Sequence, residues 1–506
     1  MAMLVGATSA AAQPQSSAPS AAIDSGAIRG AVDGDVVSYK GIPYAAPPVG
    51  VLRWRPPQAP APWASPRDAT AYGNDCMQNR FPGDSAASSQ PLSEDCLYLN
   101  VWAPAHAGAH LPVMVWIHGG GLTTGSSAPA VYSGANLARK GVVLVSFNYR
   151  LGRFGFFAHP ALLKEHPGEA VGNYGLMDQL AALRWVQRNI AAFGGDPANV
   201  TIFGQSAGGS SVLHMMMCPE AHGLFARAIA ESGGGRDRWS RLDGAAGGKP
   251  SALKIGEAFA RKAGVTSDDP AALRAIPAQT VLGDLGLLNG EAETYSGAIV
   301  DGALVPDDVD TFFARGAEQH VPLLIGATND ELGAVPAAFL PMLTGPVVEK
   351  FGPRGKALQA FYGAGAHPAD LFDDISFVEP ARYLAGRHAA AGAPTWLYRF
   401  SYVAEARRDG GAGAAHASEI PYVFGTLDAA GFQVSALDRK MSAAMMDCWV
   451  AFARGGDPNG AGLAAWPGYD AGADPTLEFT LEGTPTVRPH LDQQRLDFIA
   501  ASYPLP

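Results

Sequence analysis

The chain has 506 residues, of which 47% are hydrophobic and 16% are charged, so it can bury a large apolar core. Its formal net charge of -11 argues against a nucleic-acid partner, because phosphate binding needs a basic surface. No apolar run reaches the length of a membrane span. The four cysteines are too few for a disulfide scaffold, and no paired Cys or Cys/His spacing indicates a metal site.

The first residues differ in composition from the rest of the chain. Residues 3–12 are apolar and small, and three alanines followed by Gln13 and Pro14 resemble a signal-peptidase site. The positively charged segment that usually opens an export signal is missing. We interpret residues 1–22 as the remnant of a signal peptide or a disordered tail, and residues 23–506 as one domain. The first interpretation predicts a secreted or periplasmic protein, whereas the second also allows the cytoplasm.

Strand and helix patterns alternate along the chain. The apolar runs PVMVWIH and VVLVSFN predict strands that are covered on both faces of a sheet. A helical pattern at 178–193 precedes another strand, which together indicate a βαβ unit and an α/β fold. The Gly- and Ala-rich segments at about 233–301 and 332–394 are typical of insertions that form pocket walls. We predict a hairpin at 26–37, strands at 98–102, 112–118, 142–148, 200–204, 226–231, 321–327 and 395–401, and a second helix at 437–454.

In residues 200–209 (VTIFGQSAGG) a predicted strand turns into a predicted helix at a serine. Gly204 and Gly208 suit a sharp turn and a close approach of helix to strand, since neither has a Cβ atom. A G-x-S-x-G pattern in this context exposes the serine hydroxyl above the sheet edge. Ser206 is therefore a candidate nucleophile, but so short a motif needs partners elsewhere in the chain.

The predicted strand at 112–117 is followed by His118 and three consecutive glycines. Glycines at a strand end let backbone N–H groups point into a cavity, which an oxyanion hole requires. The alternative is a flexible turn in a Gly-rich protein. The position of the glycines after a buried strand and before Ser206 favours the oxyanion hole.

Acyl transfer also needs a base and an acid that orients it. Asp330 and Glu331 directly follow a predicted strand, and their spacing alone does not separate them. His416 lies in a polar loop beyond the next strand. The alternative for each is an ordinary surface residue. Their order along the chain, serine then acid then histidine, is the order in α/β-hydrolases.

Several longer stretches strengthen this interpretation, and with them the chain resembles the type B carboxylesterases. This family contains bacterial para-nitrobenzyl esterases, animal carboxylesterases and cholinesterases. The matching stretches are GIPYAAPPVGVLRWRPP, SEDCLYLNVW, WIHGGG, FNYRLGRFGF, GNYGLMDQLAALRWVQRNIAAFGGDPANVTIFGQSAGG, ATNDELG and HASEIPYVFG. The resemblance implies an α/β-hydrolase fold, with a central, mostly parallel, twisted sheet flanked by helices. It also implies a small-molecule ester as substrate and no metal or organic cofactor.

The resemblance assigns roles to individual residues. It makes Ser206 the nucleophile, Glu331 the acid and His416 the base, with oxyanion donors at Gly120, Gly121 and Ala207 and a disulfide between Cys76 and Cys96. Leu122, beside the glycines, and Gln205, beside the nucleophile, are expected to border the substrate pocket.

The chain departs from the family at two positions near these residues. Many relatives have Glu where this chain has Gln205, and a glycine where it has Leu332. The sequence therefore predicts a serine carboxylesterase that forms an acyl-enzyme on Ser206. The alternatives are a thioesterase, amidase or lactonase with the same three residues, and a noncatalytic binding module of the kind found among cholinesterase relatives.

Overall fold

The computed structural model of the protein describes residues 18–81, 88–106, 108–246, 248–333, 335, 340–349, 351–363, 368–410, 413–460 and 462–503. The strands within these ranges are β1 (Ser20–Ile23), β2 (Gly26–Arg29), β3 (Ala31–Asp33), β4 (Val36–Pro43), β5 (Arg67–Asp68), β6 (Asp75–Cys76), β7 (Leu92–Ser93), β8 (Tyr98–Pro104), β9 (Leu111–Ile117), β10 (Val143–Phe147), β11 (Phe156–Phe157), β12 (Gly172–Asn173), β13 (Gly195–Gln205), β14 (Arg227–Glu231), β15 (Ser240–Arg241), β16 (Ile299–Val300), β17 (Leu323–Thr328), β18 (Thr395–Phe400), β19 (Pro475–Phe479) and β20 (Pro485–Pro489).

The α-helices in the same ranges are α1 (Ala135–Arg139), α2 (Gly152–Gly155), α3 (Pro160–Glu165), α4 (Tyr174–Asn189), α5 (Ala207–Met217), α6 (Ala252–Lys262), α7 (Pro270–Arg274), α8 (Ala278–Leu282), α9 (Val309–Ala314), α10 (Leu340–Glu349), α11 (Pro353–Tyr362), α12 (Pro368–Asp373), α13 (Glu379–Ala390), α14 (Ile420–Phe424), α15 (Ala436–Gly455) and α16 (Gln493–Ser502). A π-helical turn, Asp374–Val378, joins α12 to α13.

A single large sheet forms the centre of the protein. Its eleven strands follow the order β20-β19-β18-β17-β14-β13-β9-β10-β8-β4-β3. Neighbouring strands from β19 to β10 are parallel. The pairs at both edges are antiparallel. The prediction of a mostly parallel central sheet in an α/β fold is confirmed.

Helices cover both faces of this sheet, as the apolar runs predict. In β9, Val113 and Val115 point into a core that contains side chains of α4 and α5. The alternating residues Met114 and Trp116 point into a second core, which contains side chains of α15. All four are fully buried. Because both faces are covered, the central strands can be apolar along their whole length.

The predicted hairpin at 26–37 is only partly correct. β2 pairs with β1 in a separate small sheet, while β3 and β4 form the hairpin. The turn between β3 and β4 begins at Gly34, whose φ of 59° lies in the left-handed region that glycine adopts readily. The other predicted strands and the predicted helices are present, with ends shifted by a few residues.

Regular secondary structure begins closer to the N-terminus than predicted. Ser20–Ile23 forms β1 and pairs in antiparallel register with β2, so the boundary placed at residue 22 is wrong. Ala21 and Ile23 are buried, which explains why this short strand is held against the domain. Residues 1–17 lie outside the described ranges, so the export signal remains a prediction.

Cys76 and Cys96 form the disulfide that the family resemblance implies. Cys218 and Cys448 are buried thiols, and burial raises their pKa values to about 11 and about 12. Within the described ranges, no helix combines the length and the apolar character needed to cross a membrane. The described residues also contain no group of three or more His, Cys, Asp or Glu side chains arranged for a metal ion.

Candidate active site

Ser206 occupies a strained turn between β13 and α5. Its φ and ψ of 59° and -125° are unusual for a residue with a side chain and cost about 1–3 kcal/mol. Its N–H donates a hydrogen bond of 2.9 Å to the carbonyl of Glu231. A Cβ atom at Gly204 or Gly208 would lie only 2.6 or 2.0 Å from the Ile117 carbonyl oxygen. Close packing of these glycines against β9 therefore holds the serine turn in place.

The glycine loop after β9 lies directly against this turn. A Cβ atom at Gly119 would be 3.0 Å from the Cβ of Ser206. Gly120 and Gly121 have φ values of 106° and 63°, and their N–H groups donate to no described carbonyl oxygen. Ala207 is the first residue of α5, so its N–H has no partner within the helix. Three backbone donors are thus available near the serine.

His118 and Tyr149 hold the glycine loop from below. His118 Nδ1–H donates to the Gly119 carbonyl at 2.9 Å, and the ring stacks on Tyr149 with centroids 4.4 Å apart. The Tyr149 hydroxyl donates to the His118 carbonyl at 2.8 Å. Burial lowers the pKa of His118 to about 4, so the ring is neutral at neutral pH. This histidine is a structural support for the loop.

Glu331 and His416 are hydrogen-bonded side chains in the loops that follow the neighbouring strands β17 and β18. His416 Nδ1–H donates to Glu331 Oε2. The other carboxylate oxygen accepts from the Ser232 hydroxyl at 2.7 Å and from the Thr328 N–H at 3.0 Å. Glu331 is 2% exposed. A buried carboxylate with three donors is well stabilised as an anion and can orient the imidazole.

Asp330, the neighbouring acid, serves a different purpose. Its Oδ2 accepts from the Gly413 N–H at 2.7 Å, and its own N–H donates to the Ala414 carbonyl at 3.1 Å. These bonds tie the acid loop to the loop that carries the histidine. Leu332 has no left-handed φ, and its N–H donates to Asp373 Oδ1 at 3.2 Å. A leucine therefore fits at the position where the family resemblance leads us to expect a glycine.

The surroundings of His416 act on its charge in opposite directions. Burial lowers the pKa of this imidazole, but the Glu331 carboxylate and then Glu419 raise it, and the net pKa is above its ordinary value. The Phe377 ring, from the π-helical turn, packs with its centroid 5.0 Å from the imidazole. The imidazole thus contacts both a carboxylate and an aromatic ring.

Three further acids lie buried around this pair. Burial raises the pKa of Glu231 to about 8, and Trp449 Nε1–H donates to its Oε1 at 2.7 Å. Burial, with the charge of Glu331, raises the pKa of Asp373 to about 8. Burial raises the pKa of Glu419 well above its usual range. Burial therefore disfavours the charged form of each of these three acids.

Gln205 contacts the histidine as well. Its Nε2 lies 3.1 Å from His416 Nε2. Since the proton on Nδ1 points to Glu331, Nε2 is the acceptor and the amide donates to it. No hydrogen bond among the described residues joins the Ser206 hydroxyl to this nitrogen.

Sequence reasoning missed Ser232, Glu231 and Glu419 as parts of the site. Ser232 and Glu231 stand at the carboxyl end of β14, which pairs with both β13 and β17. The carboxyl ends of adjacent parallel strands meet at one edge of a sheet. Polar residues at the end of a strand between the serine strand and the acid strand are the signal that could have found Ser232 and Glu231. No such signal marks Glu419, which precedes α14.

The sheet carries a serine at a strand–helix turn, and an acid and a histidine in the loops after two neighbouring parallel strands. This arrangement defines the class of α/β-hydrolases. The sequence pattern of the carboxylesterase family matches residues 17–347 and 364–499. The chain therefore belongs to the carboxylesterase family and is a carboxylic ester hydrolase.

The relatives include several esterases. Fumonisin B1 esterase from Sphingopyxis macrogoltabida is 39% identical over 478 residues, covering 88% of this chain and 84% of the relative. Para-nitrobenzyl esterase from Bacillus subtilis (strain 168) is 35% identical over 494 residues, covering 91% and 95%. A solved structure of a PNB esterase has a TM-score of 0.82 at 32% identity, covering 97% of this chain and 100% of that one. The chain is thus similar to para-nitrobenzyl esterases along nearly its whole length.

The raised pKa of Glu231 makes folding stability depend on pH. Between pH 4.5 and about 8 the folded protein keeps a proton that the unfolded chain has released, so stability falls as pH rises. We expect this group to lower the free energy of unfolding by about 1.4 kcal/mol per pH unit in that window. Glu231→Gln keeps an oxygen for Trp449 but removes the titration, and its stability should fall less steeply.

Denaturant unfolding at several pH values from about 5 to about 8 measures this difference. Glu293→Gln, at an exposed position, is the matched control and should behave as the wild type does. Equal slopes for Glu231→Gln and the wild type would show that Glu231 is already ionised in the folded protein.

Proposed function

We propose that the protein hydrolyses carboxylic esters through a covalent acyl-enzyme on Ser206. The observation that carries this proposal is the hydrogen bond between Glu331 and His416, beside the strand end that bears the serine. An imidazole oriented in this way can take a proton from a neighbouring hydroxyl and stabilise the positive charge that results.

The reaction has two halves. His416 Nε2 accepts the hydroxyl proton while Ser206 Oγ bonds to the ester carbonyl carbon, and Glu331 stabilises the imidazolium. The oxyanion formed accepts hydrogen bonds from the N–H groups of Gly120, Gly121 and Ala207, each worth about 3 kcal/mol in comparable sites. The imidazolium then protonates the leaving alcohol. Water, with His416 again as base, releases the carboxylic acid and restores the serine.

The side chains around the site favour uncharged, apolar esters. A Cβ atom at Gly121 would lie 2.9 Å from Leu287 Cδ1, so this leucine packs directly beside the glycine loop. Leu287 and Leu288 are 44% and 42% exposed. With Phe377 beside His416, Leu287 gives the site apolar surroundings. The relatives are named for different esters, which supports the ester class and not one particular substrate.

The two adjacent acids give a direct test of the catalytic assignment. Glu331→Gln should lower kcat/KM on an activated aryl ester by roughly 1,000- to 10,000-fold, because the amide no longer fixes the tautomer or stabilises the imidazolium. Asp330→Asn keeps an oxygen for the Gly413 N–H and should stay close to the wild-type value. Steady-state kinetics on both variants, with unfolding curves as a control, measure the effect. Equal losses in the two variants would contradict the proposed role of Glu331.

A panel of acyl compounds tests the reaction and substrate class. Esters should be preferred to the amide with the same acyl group, since the amide has a poorer leaving group. The kcat/KM of an ester with a neutral acyl chain should exceed that of an ester of equal length with a carboxylate on its acyl chain by at least about tenfold. Apolar surroundings offer no partner to that carboxylate. A higher kcat/KM for the thioester or the amide would favour the alternative hydrolase classes.

A further inference from the structure

Gln205 combines three features that the ester hydrolysis scheme does not use. It is the last residue of β13, directly before the nucleophile, and it is 3% exposed. Its amide donates to His416 Nε2, the nitrogen that must accept the serine proton. The Gln205 N–H therefore already bonds to the nitrogen lone pair that must accept the serine proton during catalysis.

We propose that Gln205 is a positioning residue that holds His416 as a neutral base until ester binding brings the Ser206 hydroxyl to the same ring nitrogen. The proposal rests on the proposed function of Ser206 and His416. What is new is the role of Gln205, the residue directly before the nucleophile.

The physical basis is the direction of the hydrogen bond. An N–H group that points at the Nε2 lone pair stabilises the neutral imidazole and disfavours its protonated form. The acids around the ring act in the opposite sense when ionised. The acids that act on the ring are Glu331, after β17, and Glu419, before α14. Glu231, at the end of β14, acts on Glu419, and Glu331 acts on Asp373, at the end of α12.

Proton transfer changes His416 Nε2 from a hydrogen-bond acceptor into a donor. Once the Ser206 proton is on His416 Nε2, this atom is a donor, and the Gln205 N–H can no longer bond to it. Rotation about the last side-chain bond turns the amide oxygen toward the new N–H. A carboxamide can thus bond to the ring in both protonation states. Methionine could do so in neither, and glutamate would favour only the protonated one.

The acid limb of the pH profile of kcat/KM reports the pKa of the base in the free enzyme. Gln205→Met removes the donor and should raise this apparent pKa by roughly one unit, the equivalent of one hydrogen bond. Gln205→Glu adds an acceptor with a negative charge and should raise it further. Gln179→Met is the matched control, since the Gln179 amide is buried but donates to Ser211 Oγ at 3.0 Å. This control should leave the limb unchanged.

The amplitude of the alcohol burst with a p-nitrophenyl ester counts the acylated sites independently of the profile. If the wild-type protein turned over no ester, the proposed function itself would be contradicted. Turnover in all four proteins, with limbs that agree within about 0.2 pH units, would overturn the role of Gln205 alone. A smaller burst from a partly unfolded variant does not obscure the result, because the position of the limb does not depend on the active fraction. An apparent pKa of the acid limb that rises from the wild type to Gln205→Met and again to Gln205→Glu supports the proposal.

Discussion

The hydrogen bond between Glu331 and His416 is the interaction on which the site depends. It joins the loop after β17 to the loop before α14, and backbone bonds from Asp330 and His416 reinforce the same junction. A buried carboxylate is costly unless donors surround it. Ser232 and Thr328 supply those donors, so the end of β14 and the end of β17 are needed for the histidine to be oriented.

Three buried acids surround this hydrogen bond, and burial disfavours their charged forms. Glu231, Glu419 and Asp373 are buried without an ion partner of their own among the described residues. Burial raises their pKa values, so these three carboxyl groups keep their protons to a higher pH than an exposed carboxyl group does. Two carboxylates rarely share a small buried space in the charged form. Glu331 differs from them in accepting hydrogen bonds from three donors, which favour its charged form.

Backbone strain is also concentrated at the site. Four residues with side chains adopt a left-handed φ next to site groups: Leu122, Ser206, Ser232 and Ala417. Such conformations persist only where the surrounding structure enforces them. At Ser206 the enforcing contacts come from glycines packed on β9, which links the choice of Gly204 and Gly208 to the exposure of the serine.

The sequence predicts the central sheet and the nucleophile because both depend on local patterns, namely apolar runs and a strand–glycine–serine turn. It could not separate Asp330 from Glu331 by spacing. That distinction depends on how the acid loop pairs with Gly413 and Ala414, some 80 residues away. The contact between Gln205 and His416 spans 211 positions and is equally invisible to local reasoning. The hairpin was misplaced because residues 26–29 pair with β1 in a separate sheet, a pairing that the local pattern does not show.

The central claim is that an acyl group is transferred to Ser206. Mass spectrometry of peptides after acid quenching of a reaction with a p-nitrophenyl ester tests it most directly. We expect the acyl mass on the peptide that contains Ser206, and we expect Ser206→Ala to form no adduct and to turn over no ester. An acyl group on another residue, or ester turnover retained in Ser206→Ala, would contradict it.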